Sequence, residues 1–321
     1  MADLFTPMAL RVAATLRLAD HVAAGADSIP ALVEHTGGDP DALGRLVDHL
    51  VTVGVLERGF TGALSLTDLG DQLRETHPGR GRAWLDIEGA VGRAELSALH
   101  LLDTVRTGRP AYPLTYGRGF WEDVAADRSL GQSYDALMGS RIEVPEIVAG
   151  YDWRALSHIV DVGGGNGTLL AAILTAHPGL RGTLVDLAGA TEAARRILGH
   201  AGVADRCETV AGSFFEPLPA GADAYLLSAV LHGWDDEHAL AILRRCADAA
   251  GTAGRVLVIE DLLEDPAGSG PRTEMNLRML AYTGGRERTL GDFEQLAAGT
   301  GMRVIAVHRA AEYRTVIELR A

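Results

Sequence analysis

Apolar positions along this chain follow two different periods, and the change between them divides it. Over residues 7 to 24, Leu10, Ala13, Ala14, Leu16 and Leu18 suit one helix, which the stretch from Gly25 to Pro30 ends. A short helix is predicted from near Ser28. After the turn Gly37-Gly38-Asp39-Pro40, residues Leu43, Leu46, Val47, Leu50 and Val51 form an i, i+3, i+4, i+7 stripe, capped near Asp39 and stopped at Gly54. Residues 55–58 and 64–67, on either side of a glycine-containing turn, read as a small hairpin. From about 78 to 149 the pattern is mostly helical, with breaks around Gly108 to Gly119. Beyond His158 the period changes: apolar, β-rich runs over 158–162, 182–185, 208–211, 224–227 and 255–259 alternate with helical stretches such as 168–176 and 237–249. That alternation predicts a doubly wound parallel sheet. Two last strands, 303–307 and 315–319, are joined by a connection too short for a parallel crossover and should pair antiparallel.

The first 75 residues, helix, turn, helix and hairpin, resemble a winged helix. A winged helix invites a DNA-binding reading, but the second helix carries Asp41, Arg45, Asp48 and His49 in place of a basic face. The chain contains no lysine, and its formal net charge is −14. Affinity for nucleic acid rests largely on clustered positive charge, so the reading preferred here is dimerisation through apolar surface on the first helices. No apolar run approaches the roughly 20 residues needed to cross a bilayer, and Met1 to Phe5 show no export signal. Only two cysteines, Cys207 and Cys246, are present, without CxxC or zinc-ligand spacing. A reducing cytoplasm, and no metal, membrane or nucleic acid, are the expectations.

Asp161-Val162-Gly163-Gly164-Gly165-Asn166-Gly167 follows the first strand of the sheet and opens a helix, where such a sheet binds its ligand. Gly163 and Gly165 are the positions at which the backbone must turn sharply and approach that ligand. Asp186 ends the next strand, placed to accept hydrogen bonds from ribose hydroxyls. A dinucleotide fingerprint would need glycine where Thr168 stands; GxGxG with an acid before it suits S-adenosylmethionine, which has no pyrophosphate to cradle. After the third strand, Ser213 and Phe214 are candidates to hold the adenine.

His232 follows the fourth strand at that same edge, in Leu231-His232-Gly233-Trp234-Asp235-Asp236-Glu237-His238. Glu260 ends the fifth strand, and Glu287 follows the turn Gly284-Gly285. Two carboxylates near one imidazole can orient it and stabilise the imidazolium, which is the arrangement a general base needs. A phenol ionises near pH 10, so at neutral pH a base must take its proton as the oxygen attacks a sulfonium methyl group. The segment 76–150 is rich in aromatic residues, also carries Met138 as a substrate-lining candidate, and reads as a connecting and substrate-lining stretch.

Taken together, the stretch Leu231–His238, GGGNG at 163–167 and GGRERT at 284–289 resemble the caffeic-acid-type O-methyltransferases, over nearly the whole chain. Within them the chain looks most similar to bacterial enzymes that tailor aromatic polyketides, particularly anthracycline 4-O-methyltransferases, through TPMALRVAA at 6–14 and RTGRPAY at 106–112. The resemblance implies a class I Rossmann-like methyltransferase sheet over 151–321, parallel with an antiparallel last strand, behind an all-helical or winged-helix dimerisation domain over 1–75. It implies S-adenosylmethionine as cofactor, S-adenosylhomocysteine as product, an aromatic small-molecule substrate and a homodimer. His232 maps to its catalytic base and Glu260 and Glu287 to the flanking acids; Met279 and Tyr282 match substrate-lining positions, and Trp234 lies within the histidine motif. Gly233 stands where plant members often carry Asp, and Ser213 where an acid commonly meets the adenine, which brings in Phe214 or Ser228 for that contact. Some anthracycline relatives lack the histidine and decarboxylate or hydroxylate instead. Methylation of a phenol is therefore the first expectation, a non-methylating decarboxylase or hydroxylase the second, and a DNA-binding regulator the third.

Overall fold

The computed structural model describes residues 3–139, 143–264, 273–311 and 314–321. The chain forms two compact units, Met1–Leu96 and Ser97–Ala321. In the first, the stripe predicted after Asp39 becomes the helix Pro40–Thr52, with the Asp39 carboxylate accepting from Ala42 N, and its Leu43, Val47 and Leu50 enter the unit's core. The hairpin forms as β1 (Leu56–Arg58) and β2 (Leu64–Leu66). One expectation changes: residues 7–24 are two helices, Phe5–Thr15 and Leu18–Ala23, because Arg17 adopts a left-handed conformation at φ 54°. Such a residue costs about 1–2 kcal/mol. The break aims Leu18, Ala19 and Val22 into the same core as Ala13, and burying one leucine is worth about 1.5–3 kcal/mol.

The second unit is built on a seven-stranded sheet in the order β5-β4-β3-β6-β7-β9-β8. Its strands are β3 (His158–Val162), β4 (Arg181–Asp186), β5 (Cys207–Ala211), β6 (Ala224–Ser228), β7 (Arg255–Asp261), β8 (Arg303–Arg309) and β9 (Arg314–Arg320). β3 to β7 run parallel, and β9 lies antiparallel between β7 and β8, as the short last connection requires. Alternate strand residues serve opposite layers. Ile159, Leu184, Leu226 and Ile259 pack with the helices Thr168–Ala176 and Ala188–His200. Val160, Val162, Leu227 and Val258 pack with Asp236–Ala250 and Leu290–Ala298 on the other face. Burial on both faces explains why these strands read as continuous apolar runs.

The chain winds from β3 outward through β4 to β5 and then returns to place β6 on the other side of β3. The switch point therefore lies between the carboxyl ends of β3 and β6, where an open α/β sheet leaves its ligand crevice. Ahead of the sheet, the expected break over 108–119 contains a short helix, Tyr112–Tyr116, held between left-handed Gly108 and Gly117. It forms because Tyr112 is fully buried and its hydroxyl donates to Asp123 Oδ2 at 2.7 Å. Among the described residues no helix is long and apolar enough to cross a membrane.

Candidate active site

The glycine loop leaves β3 with Gly163, Gly165 and Gly167 all at positive φ, 70°, 57° and 79°. A side chain at Gly163 would meet Val230 Cγ2 at 2.9 Å and the Phe214 ring at 3.4 Å, whereas nothing lies within 4 Å of a Cβ at Gly165. The loop is thus closed on the β6 side and open above its centre. Asp186 Oδ2 accepts from Gly165 N at 2.8 Å and its Oδ1 from Leu187 N at 2.6 Å, which leaves further lone pairs on both oxygens. Burial nevertheless raises the Asp186 pKa, against the pull of those two bonds. Asp161 is buried beneath the loop, where a Cβ at Gly164 would strike its carboxylate at 2.6 Å. Ser213 Oγ accepts from Phe215 N within its own turn, and Ser228 ends β6 beside the loop. Asn166, which the motif contains but periodicity does not single out, ties the loop down: its Oδ1 accepts from Thr168 Oγ1 at 2.8 Å and its Nδ2 donates to Asp135 O at 3.0 Å.

Beyond β6 the chain turns through Ala229, a non-glycine residue at φ 52° whose N–H donates to Ile259 O, into a short 3-10 turn, Leu231–Gly233. That turn is wrapped around one buried acid. Glu260 Oε1 accepts from Leu231 N at 2.9 Å and His232 N at 3.3 Å, and its Oε2 sits 2.8 Å from His232 Nδ1. With Nδ1 given to Glu260, Nε2 is the nitrogen left to take a proton. Burial pulls the imidazole pKa down, but the carboxylates of Glu260 and then Glu287 outweigh it and the net shift is upward, with Arg314 opposing them. Burial likewise raises Glu260, and His232 and Arg314 reverse that to a net lowering, so the acid stays ionised. Glu287 is itself buried, and its N–H donates to Asn276 Oδ1. The structure therefore brings His232, Glu260 and Glu287 together.

Arg288, which sequence reasoning passed over inside GGRERT, is completely buried and braces the histidine turn. Its Nη1 donates to Leu231 O at 2.7 Å, and its Nη2 to Trp234 O at 2.9 Å and Asp236 Oδ1 at 2.8 Å. Gly285 lies so close that a Cβ there would come within 2.2 Å of His232 O. An aromatic wall adjoins the turn. Trp234 packs edge-on to Phe214 and Phe215 and lies 6.3 Å from Trp121, which in turn meets Phe120 and Tyr134. Gly233 lies close beneath it: a Cβ there would come within 3.2 Å of Trp121 Cζ2. The helix Thr273–Thr283 packs against the histidine turn and carries Met279, partly buried, and Tyr282, buried with its ring 6.4 Å from Phe120. Met138 ends the helix Arg128–Met138 and is partly buried.

Residues 99–303 match the O-methyltransferase domain, and residues 1–75 the O-methyltransferase dimerisation domain. The chain belongs to the O-methyltransferase family. This O-methyltransferase is 51% identical to 2,7-dihydroxy-5-methyl-1-naphthoate 7-O-methyltransferase of Streptomyces carzinostaticus, over 100% of the chain and 96% of that protein. It is also 51% identical to aclacinomycin 10-hydroxylase RdmB of Streptomyces purpurascens, over 94% of the chain and 82% of that protein. Among solved structures, NcsB1 from neocarzinostatin biosynthesis, in complex with S-adenosylmethionine and 2-hydroxy-5-methyl naphthoic acid, superposes with a TM-score of 0.94 at 51% identity, covering 100% of this chain and 97% of that one. The family and the Rossmann-like fold expected of the O-methyltransferase are thus borne out.

Proposed function

We propose that this O-methyltransferase methylates a phenolic hydroxyl of an aromatic natural product, polyketide- or anthracycline-like, using S-adenosylmethionine, with His232 as general base. The observation that carries the assignment is the His232 Nδ1 to Glu260 contact at 2.8 Å, which fixes the ring and leaves Nε2 to accept a proton. The loop fits the cofactor: Gly165 leaves open space, Asp186 offers acceptors for a ribose, and Phe214 lies against Gly163 on the side of Ser213 and Ser228. When bound, S-adenosylmethionine supplies a sulfonium methyl group to the attacking oxygen and leaves as S-adenosylhomocysteine. Asp161 supports the loop from below. Glu260 and Glu287 hold positive charge on the imidazole as it takes the phenolic proton. Met138, Trp234, Met279 and Tyr282, with Trp121, supply the apolar wall for an aromatic acceptor, and the segment 76–150 contributes much of it.

The dimerisation domain over residues 1–75 pairs two copies, and the free thiols Cys207 and Cys246 agree with a cytoplasmic enzyme. The relative that methylates a dihydroxynaphthoate favours a fused-ring phenol as acceptor. The hydroxylase relative supports a second reading, conversion without methyl transfer. Both are tested by incubating the protein with S-adenosylmethionine and a panel of hydroxylated naphthoates and anthracyclines, scoring methylated product and S-adenosylhomocysteine. Equal amounts of the two are expected, and His232→Ala should reduce both about 10²- to 10⁴-fold at neutral pH. Substrate conversion without S-adenosylhomocysteine would select the second reading; full turnover by His232→Ala would remove the base.

A further inference from the structure

Two motifs that stand some fifty residues apart in the sequence, Leu231–His238 and GGRERT at 284–289, meet at one exposed carboxylate, that of Asp236. Asp236 opens the helix Asp236–Ala250, but Asp235 caps it, its Oδ1 accepting from His238 N at 2.9 Å. The Asp236 carboxylate is spent elsewhere. Its Oδ1 accepts from Arg288 Nε at 3.0 Å and Nη2 at 2.8 Å, and its Oδ2 from Arg286 Nη1 at 3.1 Å. Both arginines come from one short stretch, which a parallel β-bridge between Arg288 and Leu262 holds beside the end of β7, with Leu263 N donating to Arg288 O at 2.9 Å. In strand-like backbone alternate side chains share a face. Arg286 and Arg288 both reach Asp236, and Glu287, between them, is buried and acts on His232. Arg288 also donates to the carbonyls of Leu231 and Trp234, which lie on either side of His232. One carboxylate thus anchors both the arm that carries Glu287 and the brace of the histidine turn.

An exposed ion pair is ordinarily worth little, because water screens it. This one differs in its partner: the Asp236 side chain is 55% exposed, but that of Arg288 is 0%. A buried guanidinium needs acceptors for its donors and a charge set against its own. Asp236 supplies the charge and takes Nε and Nη2, while Leu231 O takes Nη1. A planar fork engaged at all three nitrogens cannot turn, so the position of Asp236 is passed on to the carbonyls that Arg288 holds.

We infer that Asp236 is a positioning residue for methyl transfer: by clamping Arg286 and Arg288 together it fixes Glu287 and the His232 turn against each other. This rests on His232 acting as the base, as proposed above. Glu260 orients the ring from within the turn, and Asp236 sets where the turn stands relative to Glu287. Releasing the clamp therefore slows proton removal and leaves the aromatic wall that holds the acceptor in place. A displacement of about 1 Å at a reacting group can cost about 10²-fold in rate.

The test compares Asp236→Asn with Asp236→Glu and with Asp235→Asn, which removes the same charge one residue earlier and keeps a helix cap. With S-adenosylmethionine and the hydroxynaphthoate that the parent methylates fastest, Asp236→Asn should lower kcat about 10- to 10²-fold and leave the acceptor KM within about twofold. Asp236→Glu should recover part of the loss, and Asp235→Asn should stay within about threefold of the parent. A second readout needs no acceptor: the titration of the His232 ring followed by NMR. Burial lowers that pKa, Glu260 and Glu287 outweigh it, and Arg314 opposes them. With Glu287 released, Asp236→Asn should titrate below the parent, and Asp235→Asn close to it. Should Asp236→Asn not fold, Arg286→Gln frees one arm at an exposed position and should lower kcat about threefold with KM kept. Parental kcat and titration in Asp236→Asn, or in Arg286→Gln where that variant is used, would overturn the assignment whatever the thermal midpoint, and so would equal losses in Asp235→Asn. Full turnover by His232→Ala would remove the base, while the titration would still decide whether Asp236 sets the ring.

Discussion

Replacing Glu260 by glutamine probes the centre of the site with almost no change in shape. The carboxylate accepts three hydrogen bonds, from Leu231 N, His232 N and His232 Nδ1. An amide has one oxygen. If that oxygen stays with the two backbone donors, the amide N–H₂ faces Nδ1 and forces the proton onto Nε2, where the ring can no longer act as a base. If it turns to Nδ1, two backbone donors are left facing an N–H₂ group. The first arrangement removes the base and the second dislodges the turn that positions it, and loss of the base is worth about 10²- to 10⁴-fold in kcat/KM, or about 3–5 kcal/mol in the barrier. The charge change adds a second signature. The imidazole must be neutral to accept a proton, and Glu260 and Glu287 hold its pKa above the ordinary 6.5, so activity falls as pH drops through that raised value. Removing the Glu260 charge moves this acidic limb to lower pH. The assay is kcat/KM for S-adenosylhomocysteine release against pH, with S-adenosylmethionine affinity as control. A Glu260→Gln enzyme within about threefold of the parent, with its limb unmoved, would refute the reasoning.

Arg288→Met should strip the buried carbonyls of Leu231 and Trp234 of their donor, at about 1–3 kcal/mol each, and is read as a fall in the urea midpoint; Arg288→Lys should recover only part, since an ammonium lacks the fork. Gly285→Ala should displace the histidine turn, because the added Cβ meets backbone atoms 2.2 to 2.8 Å away that cannot swing aside; kcat should drop by more than stability, which overpacking lowers by about 1–3 kcal/mol in a thermal melt.

Much of the fold was legible because the inner strands β3, β4, β6 and β7, buried on both faces, leave apolar runs, and the flanking helices leave stripes. The break at Arg17 was not. Nothing local forbids a continuous helix there, and only the burial of Leu18 and Val22 beside Ala13 decides it. Within the site, His232, Glu260 and Asp186 could be read because all three stand at strand ends, and in a parallel sheet strand ends share one edge. Arg288 could not, since an arginine in a polar loop looks in sequence like any solvated residue. Trp121 is one aromatic among many in sequence, and only its stacking at 6.3 Å from Trp234 brings it to the site.

By itself, then, the sequence determined the order of strands and helices, the glycine loop with its acid, and the residue types able to move a proton. These depend on local periodicity and on which atoms a side chain carries. Only the tertiary structure decided that Glu260 holds both the backbone and the ring of His232, that Arg288 is buried beneath them, and that Asn166 ties the glycine loop to the helix Arg128–Met138. Those are distances between parts of the chain far apart in sequence, and burial sets the strength of every charge interaction across them.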